Sequence, residues 1–250
     1  MDETLIEIRN LSKIYYAKRN KESIVALNDI NLSIYRGEVL ALLGVNGAGK
    51  TTLSSLIATL HPPTSGEIFF EEQSIYKDLY KYRFKIGFCP QNPNLDTDLT
   101  VKENLLFAGR YYLIPHSELH NRVDKLLINL NLLPYADAKV DTLSGGYRQR
   151  LLIARAIIHD PSIVIFDEPT VGLDPHIRRQ IWDIVLDLKK QNKTIIFTTH
   201  YLDEAEVLSD RVCMLNKGKI LLIDKSYNLK KQYNKVNLEE VFLHLMNQEE

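Results

Sequence analysis

Hydrophobic positions along the chain switch between strand-like and helix-like periods. Leu5, Ile6, Ile8 and Leu11 predict a half-buried strand, followed by a polar loop from Lys18 to Ser23. Ile30, Leu32 and Ile34 alternate, and Arg36 and Gly37 turn the chain into an apolar strand, Val39 to Leu43. After a glycine-rich segment, Leu53, Leu56, Ile57 and Leu60 form a helical stripe. Pro62 to Gly66 predicts a turn, and Ile68 to Phe70 and Ile86 to Cys89 predict short strands. From Gln91 to Asp160 the pattern is helical. Thr100 and Glu103 make a capping box ahead of Val101, Leu105, Leu106 and Ala108. Val123, Leu126, Leu127 and Leu130 form a second apolar face, and Gly146 to Ile158 a third helix carrying Leu151, Leu152, Ala154 and Ile158. Ile163 to Phe166 and Thr194 to Thr198 read as buried parallel-type strands around a helix from Pro175 to Gln191. Asn216 to Lys219 predicts a hairpin turn, and Asn237 to Glu240 opens a terminal helix with Leu238, Val241, Phe242 and Leu245 on its apolar side. The pattern predicts a helical lobe inserted into an α/β core.

Composition narrows the possibilities. At 250 residues the chain is long enough for one large α/β domain or a core plus a lobe. Its 31 basic and 32 acidic residues leave a net charge of -1, without the basic footprint of a nucleic-acid binder. Cys89 and Cys213 lack C-x-x-C spacing and read as reduced core residues. The acidic, alternating start is not that of a signal peptide, and no apolar run approaches the ~20 residues of a membrane span. A membrane role requires another chain to supply the spanning part.

Three segments carry chemistry. Gly44 to Thr52, GVNGAGKTT, fits G-x-x-x-x-G-K-[ST], with Gly44, Gly49, Lys50 and Thr51 at the fixed positions. Such a loop aims backbone N–H groups at phosphate oxygens, and the helix beginning near Lys50 adds its dipole. In this pattern Lys50 reaches the β/γ-phosphates and Thr51 ligates Mg²⁺, with Asn46, Gly47, Ala48 and Thr52 completing the nucleotide-contacting run. The second segment, Ile163 to Glu168, is an apolar strand ending in two carboxylates, an expensive arrangement unless a metal and phosphates face it. Asp167 is the candidate metal holder and Glu168 the candidate general base. Leu143 to Gly146, LSGG, is the third: two glycines and Ser144 open a helix, a second anion site with Ser144 as cap and side-chain donor. His116 and His120 stand four apart, but HSELH lacks the Glu that H-E-x-x-H places second, which argues against zinc.

With these residues in hand, the chain resembles the ATP-binding cassette (ABC) ATPases over residues 3–224. The phosphate loop, Gln91 after a strand, LSGG, FDEP at Phe166 to Pro169, GLDP at Gly172 to Pro175 and His200 after Thr198 and Thr199 follow in order. Tyr147 departs from the family, which often has Gln after LSGG, while Ser144 and Gly146 are intact. The resemblance implies an α/β P-loop NTPase (RecA-like) core with an N-terminal antiparallel β subdomain and an inserted helical subdomain. The implied boundaries are 1–90 for the β subdomain and first part of the core, 91–160 for the helical subdomain, 161–225 for the rest of the core and 226–250 for a short helical extension. It further implies that Tyr15, with Tyr16 beside it, stacks on adenine, and that Gln91 contacts Mg²⁺ or the attacking water. His200 bonds the γ-phosphate, Asp174 communicates across a dimer, and Ser144, Gly145 and Gly146 contact the ATP held by a second ATPase subunit, expected to be another copy of this chain in a homodimer.

The resemblance implies an ATPase with Mg²⁺ as cofactor, bound to membrane permease subunits at the cytoplasmic face and independent of nucleic acid. Chromosome ATPases of this superfamily carry a long coiled coil where Gln91 to Leu143 leaves room for a short lobe only. The ribosome-associated members need two cassettes, and only one phosphate loop is present. Thr199 to Val212 and Asn237 to Met246 are similar to drug- and antibiotic-resistance-type exporters, and the stretch after Lys225 is shorter than the regulatory domain of many importers. Export is therefore expected, with an importer ATPase, or a non-transport ABC ATPase acting on ribosomes or DNA, as the alternatives.

Overall fold

The computed structural model describes residues 3–16 and 23–246. Lys18 to Glu22 of the expected polar loop, and residues 247–250 of the expected extension, lie outside the described residues. The chain divides into two compact units, Met1–Leu79 with Thr194–Glu250, and Tyr80–Lys193.

In the first unit the N-terminal alternation builds two long antiparallel strands, β1 (Thr4–Tyr16) and β2 (Ser23–Tyr35). Ser23, expected in the loop, already pairs with Tyr16. β3 (Val39–Leu43) leads to helix α1 (Lys50–Ile57), and β4 (Ser65–Phe70) and β5 (Gln73–Ser74) follow. Strands β2, β1, β4 and β5 lie side by side in that order as an antiparallel sheet. Two expectations shift here. Thr59 takes a left-handed φ of 59° just after α1, so Leu60 leaves the helical stripe and is 52% exposed. Ser65 and Gly66 belong to β4 rather than to the turn, and Gly66 (φ 84°) sits where a Cβ would lie 2.3 Å from the Asn10 carbonyl oxygen.

The second unit opens with α2 (Leu79–Arg83) and β6 (Ile86–Cys89). Helices α3 (Val101–Tyr111), α4 (His116–Asn129) and α5 (Gly145–Ile157) follow, then β7 (Ile163–Asp167), parallel to β6, and α6 (Pro175–Lys190). The capping box is reciprocal: Glu103 N–H donates to Thr100 Oγ1 at 3.2 Å and Thr100 N–H to Glu103 Oε2 at 2.7 Å. The stripes meet in one core of Val101, Leu105, Val123, Leu127, Leu151 and Ala154, while Leu106 and Leu126 are only partly covered. Each such buried Val or Leu contributes about 1.5–3 kcal/mol.

The chain then returns to the first unit through β8 (Thr194–Thr199), α7 (Leu202–Leu208), β9 (Arg211–Asn216) and β10 (Lys219–Asp224), and ends in α8 (Ser226–Gln232) and α9 (Leu238–Met246). β3 pairs in parallel with β8 on one side and β9 on the other, which explains its uninterrupted apolar sequence. Lys217 (φ 46°) and Gly218 (φ 75°) make the expected β9–β10 hairpin turn. Among the described residues no helix is long and apolar enough to cross a membrane.

One half-buried histidine braces the second unit. His159 stacks on Tyr112 with ring centroids 3.6 Å apart and planes 9° from parallel, and its Nε2 donates to the Ile86 carbonyl at 2.9 Å. Its buried Nδ1 has no hydrogen-bond partner, and burial pushes its pKa down to about 4. The folded-state pKa lies below the unfolded one, near 6.5, so the stabilisation is complete above that pH and lost as pH falls toward 4. Urea unfolding at pH 7 and pH 4.5 should reveal a loss of about 2 kcal/mol from this group. His159→Phe, which keeps the stack but cannot titrate, should flatten that step.

Candidate functional site

In the first unit, buried β3 delivers the glycine loop to α1. Its glycines serve different ends. A Cβ on Gly44 would lie 2.4 Å from the Leu215 carbonyl oxygen, and one on Gly49 2.8 Å from that of Ala26. Gly49 also caps α1 at φ 107°, a conformation that disfavours any side chain. Gly47 takes φ 82°, yet a Cβ there would meet nothing within 4 Å, so that side of the loop is open. Ala48 N–H donates to Val45 O at 3.1 Å and closes the turn.

Lys50 is 4% exposed and lies against the loop, its Nζ donating to Gly44 O at 2.8 Å and Val45 O at 3.1 Å. A positive charge thus sits on a loop whose Asn46, Gly47 and Thr51 are exposed and whose Thr52 is half-buried. Beside it is a cavity of about 350 Å³, lined by Val45 to Ala48, by Asn216 and Lys217 of the hairpin, and by Met246 of α9. Sequence reasoning missed the support of this loop. Gly218 N–H donates to Ala48 O at 3.0 Å while Gly218 O accepts from Asn28 N–H at 2.8 Å, pinning the loop to β2. The Asn216 to Lys219 turn signal was the available clue.

Tyr15 and Tyr16 are exposed near the end of β1. The Lys13 ammonium lies 5.1 Å over the Tyr15 ring and donates to Pro62 O at 2.7 Å, so one face of Tyr15 is already engaged. His200 is half-buried directly after β8, its ring 4.3 Å from that of Tyr201.

In the second unit, β7 carries Asp167 into the interior, 3% exposed, and leaves Glu168 half-buried. Glu168 takes φ 48°, left-handed backbone that a glutamate adopts only at a cost. Gln91 Nε2 donates to Glu168 Oε2 at 3.1 Å. The structure therefore brings together two candidates that stand 77 positions apart. The segment around Gln91 is held from α5: Gln149 Nε2 donates to Cys89 Sγ at 3.4 Å and Arg155 Nη1 to Asn94 O at 2.6 Å. Burial pushes the Cys89 and Cys213 thiols up to about 12, so both stay protonated and inert, as reduced core residues do.

Ser144 stands at the N-cap of α5, but its hydroxyl makes no cap bond to that helix, which corrects the expected capping role. Ser144 and Gly145 are exposed at this helix start. Gly146 is buried where a Cβ would lie 2.7 Å from Ile177 Cγ2, so it lets α5 pack on α6. Tyr147 turns toward the helical lobe, its ring 4.3 Å from Tyr135. Asp174 caps α6 by position, again without a side-chain bond to its helix, and is exposed.

For a metal, the candidate donors Thr51, Asp167 and Gln91 offer only oxygen or carboxamide groups. With Gln91 Nε2 engaged by Glu168, its carboxamide oxygen is the atom left to coordinate. Among the described residues no group of three or more His, Cys, Asp or Glu side chains is placed to hold a metal. This donor set fits Mg²⁺, which is bound by few protein oxygens together with substrate phosphates and water.

Comparison with known proteins gives the same picture. A family model described as "ABC transporter" matches residues 27–171. The chain is 39% identical over 225 residues to the Nod factor export ATP-binding protein I of Cupriavidus metallidurans, covering 90% of this chain and 72% of that protein. It is 37% identical over 228 residues to ATP-binding cassette sub-family A member 17 of Rattus norvegicus, covering 91% of this chain but only 13% of that protein's length. A dimeric ATP-binding cassette solved in a post-hydrolysis state with ADP and Pi matches with a TM-score of 0.80 at 31% identity, over 88% of this chain and 98% of that one. Glycine loop, paired carboxylates, LSGG helix start and relatives agree: the chain belongs to the ABC transporter ATPase family.

Proposed function

We propose that the chain binds ATP with Mg²⁺ and hydrolyses it as one of two cassettes, energising export by separate permease subunits at the cytoplasmic face of a membrane. The observation that carries the catalytic part is the Gln91–Glu168 hydrogen bond at the end of an otherwise apolar strand. It aims a carboxamide and a carboxylate at one place, the requirement for holding and deprotonating a water. Export is supported by the Cupriavidus relative, a Nod factor export ATP-binding protein, and pairing by the dimeric state of the similar solved cassette.

In this reading the loop residues Gly44 to Thr52 bind the phosphates and Tyr15 the adenine. Lys50 exchanges its bonds to the loop carbonyls for phosphate oxygens. Thr51, Asp167 and Gln91 would hold Mg²⁺, which would supply neutralisation of the phosphate charge. Glu168 takes a proton from water as its oxygen attacks the γ-phosphorus, the bond to ADP breaks, and His200 donates a hydrogen bond to the γ-phosphate. The exposed Ser144 and Gly145, with the Gly146 backbone behind them, bind in one cassette the γ-phosphate held by the other, and Asp174 reports between the two. ATP then joins the cassettes and hydrolysis releases them, a differential-affinity device. Within this scheme residues 91–160 act as the helical subdomain, 1–90 and 161–225 as the core, and 226–250 as an accessory extension.

Glu168→Gln should bind ATP as the parent does and slow hydrolysis by roughly 10²–10⁴, measured as phosphate release alongside equilibrium nucleotide binding. Normal turnover in that variant would remove Glu168 from the base role. Lys50→Ala should instead lose nucleotide binding itself. Mixed dimers with one Ser144→Ala subunit should lose turnover at the site formed with the neighbour's phosphate loop. Glu168→Gln chain loaded with ATP should also retain a polytopic protein from detergent-solubilised native membranes, whereas ribosomes or DNA alone would redirect the assignment.

A further inference from the structure

His200 occupies one residue between the end of β8 and the N-cap of α7, so its aim depends on the peptides either side of it. Those peptides are stapled across it. Thr199 Oγ1 donates to Glu204 Oε2 at 2.6 Å and accepts the N–H of Tyr201 at 3.0 Å. One hydroxyl therefore uses its proton on α7 and a lone pair on the residue after His200, so the direction of both bonds is fixed.

Thr199 and Glu204 are each 1% exposed. A carboxylate so buried is costly to keep unless its bonds serve a purpose, and an apolar residue at position 204 would fill the space at lower cost. Glu204 is also a fixed post. Two residues on, Glu206 pairs with Lys230 of α8 and accepts the Leu238 N–H at the start of α9 at 3.4 Å, so α7 is held from both C-terminal helices. The Tyr201 ring, 4.3 Å from the His200 ring and tilted by 39°, limits the imidazole from the other side.

We infer that Thr199 and Glu204 are positioning residues for His200, fixing the imidazole toward the phosphate through the Thr199 hydroxyl that spans it. The inference rests on the assignment of His200 to the γ-phosphate. It gives the buried Glu204 a part in turnover.

The test is steady-state ATP hydrolysis and equilibrium ATP binding by the full chain, with variants in the parent and in a His200→Ala background. T199V is isosteric but lacks the hydroxyl; it should lower kcat about tenfold, the worth of one well-placed hydrogen bond, and leave KM and ATP affinity within about twofold. T199S keeps the hydroxyl and should recover most of that loss. E204M removes the acceptor from the other side and should give the same kcat-against-KM split, which keeps the test open if T199V does not fold; E204Q retains an acceptor and should be milder. In the H200A background T199V should cost less than about twofold, because the two act as one unit. Parent-like turnover in T199V and E204M, or an equal loss with and without His200, would overturn the positioning role alone. An H200A variant as active as the parent would overturn the assignment of His200, and the staple with it.

Discussion

Backbone packed directly on backbone is the constraint on which the first unit rests. Gly44 lies under the Leu215 carbonyl of β9, Gly49 under the Ala26 carbonyl of β2, and Gly218 of the hairpin under that same carbonyl, where a Cβ would lie 2.7 Å from its oxygen. Two of these approaches belong to the phosphate loop and one to its support, and they meet within a few residues of Lys50. A side chain at any of the three would have to displace a strand rather than rotate a neighbour, so the loop is held by the most rigid parts of the fold. The lysine can then change partners without the loop having to find its shape.

The second unit meets the same demand by other means. The strand and loop carrying Gln91 are tied to α5 at several points: Gly87 fits against the Ala156 carbonyl, Cys89 receives Gln149, and Asn94 receives Arg155. The far end of Gln91 bonds Glu168. Since α5 begins at the LSGG segment, the start of that helix and the carboxamide beside Glu168 belong to one packed body. No long-range signal is needed to relate them.

Much of this was legible in the sequence, because the strongest signals were local. The β3, β6 and β7 runs, the Thr100–Glu103 box and the 217–218 turn are each decided by a few neighbouring residues. The misses have non-local or torsional causes. Leu60 continues the stripe by spacing, but the left-handed turn at Thr59 removes it from the helix. Ser144 is a cap by type, yet whether its hydroxyl turns back to the helix is not a property of the residue alone. The Gln91–Glu168 bond, the Gly218 support and the Thr199–Glu204 pair are products of folding. Sequence identified the chemical groups, while the hydrogen bonds that aim them depend on contacts the linear pattern does not contain.

Glu168 carries one more consequence, through its φ of 48°. Asparagine and glycine enter that region readily and glutamate does so at a cost of about 1–2 kcal/mol, so the position is under local strain. The residue we assign to the chemistry is therefore one that selection for thermal resistance alone would discard. Heat-stable variants gathered without a screen for turnover would accumulate replacements here, gaining melting temperature as they lose the ability to work. With Glu168 as the proposed base, stability and activity compete at its backbone torsion.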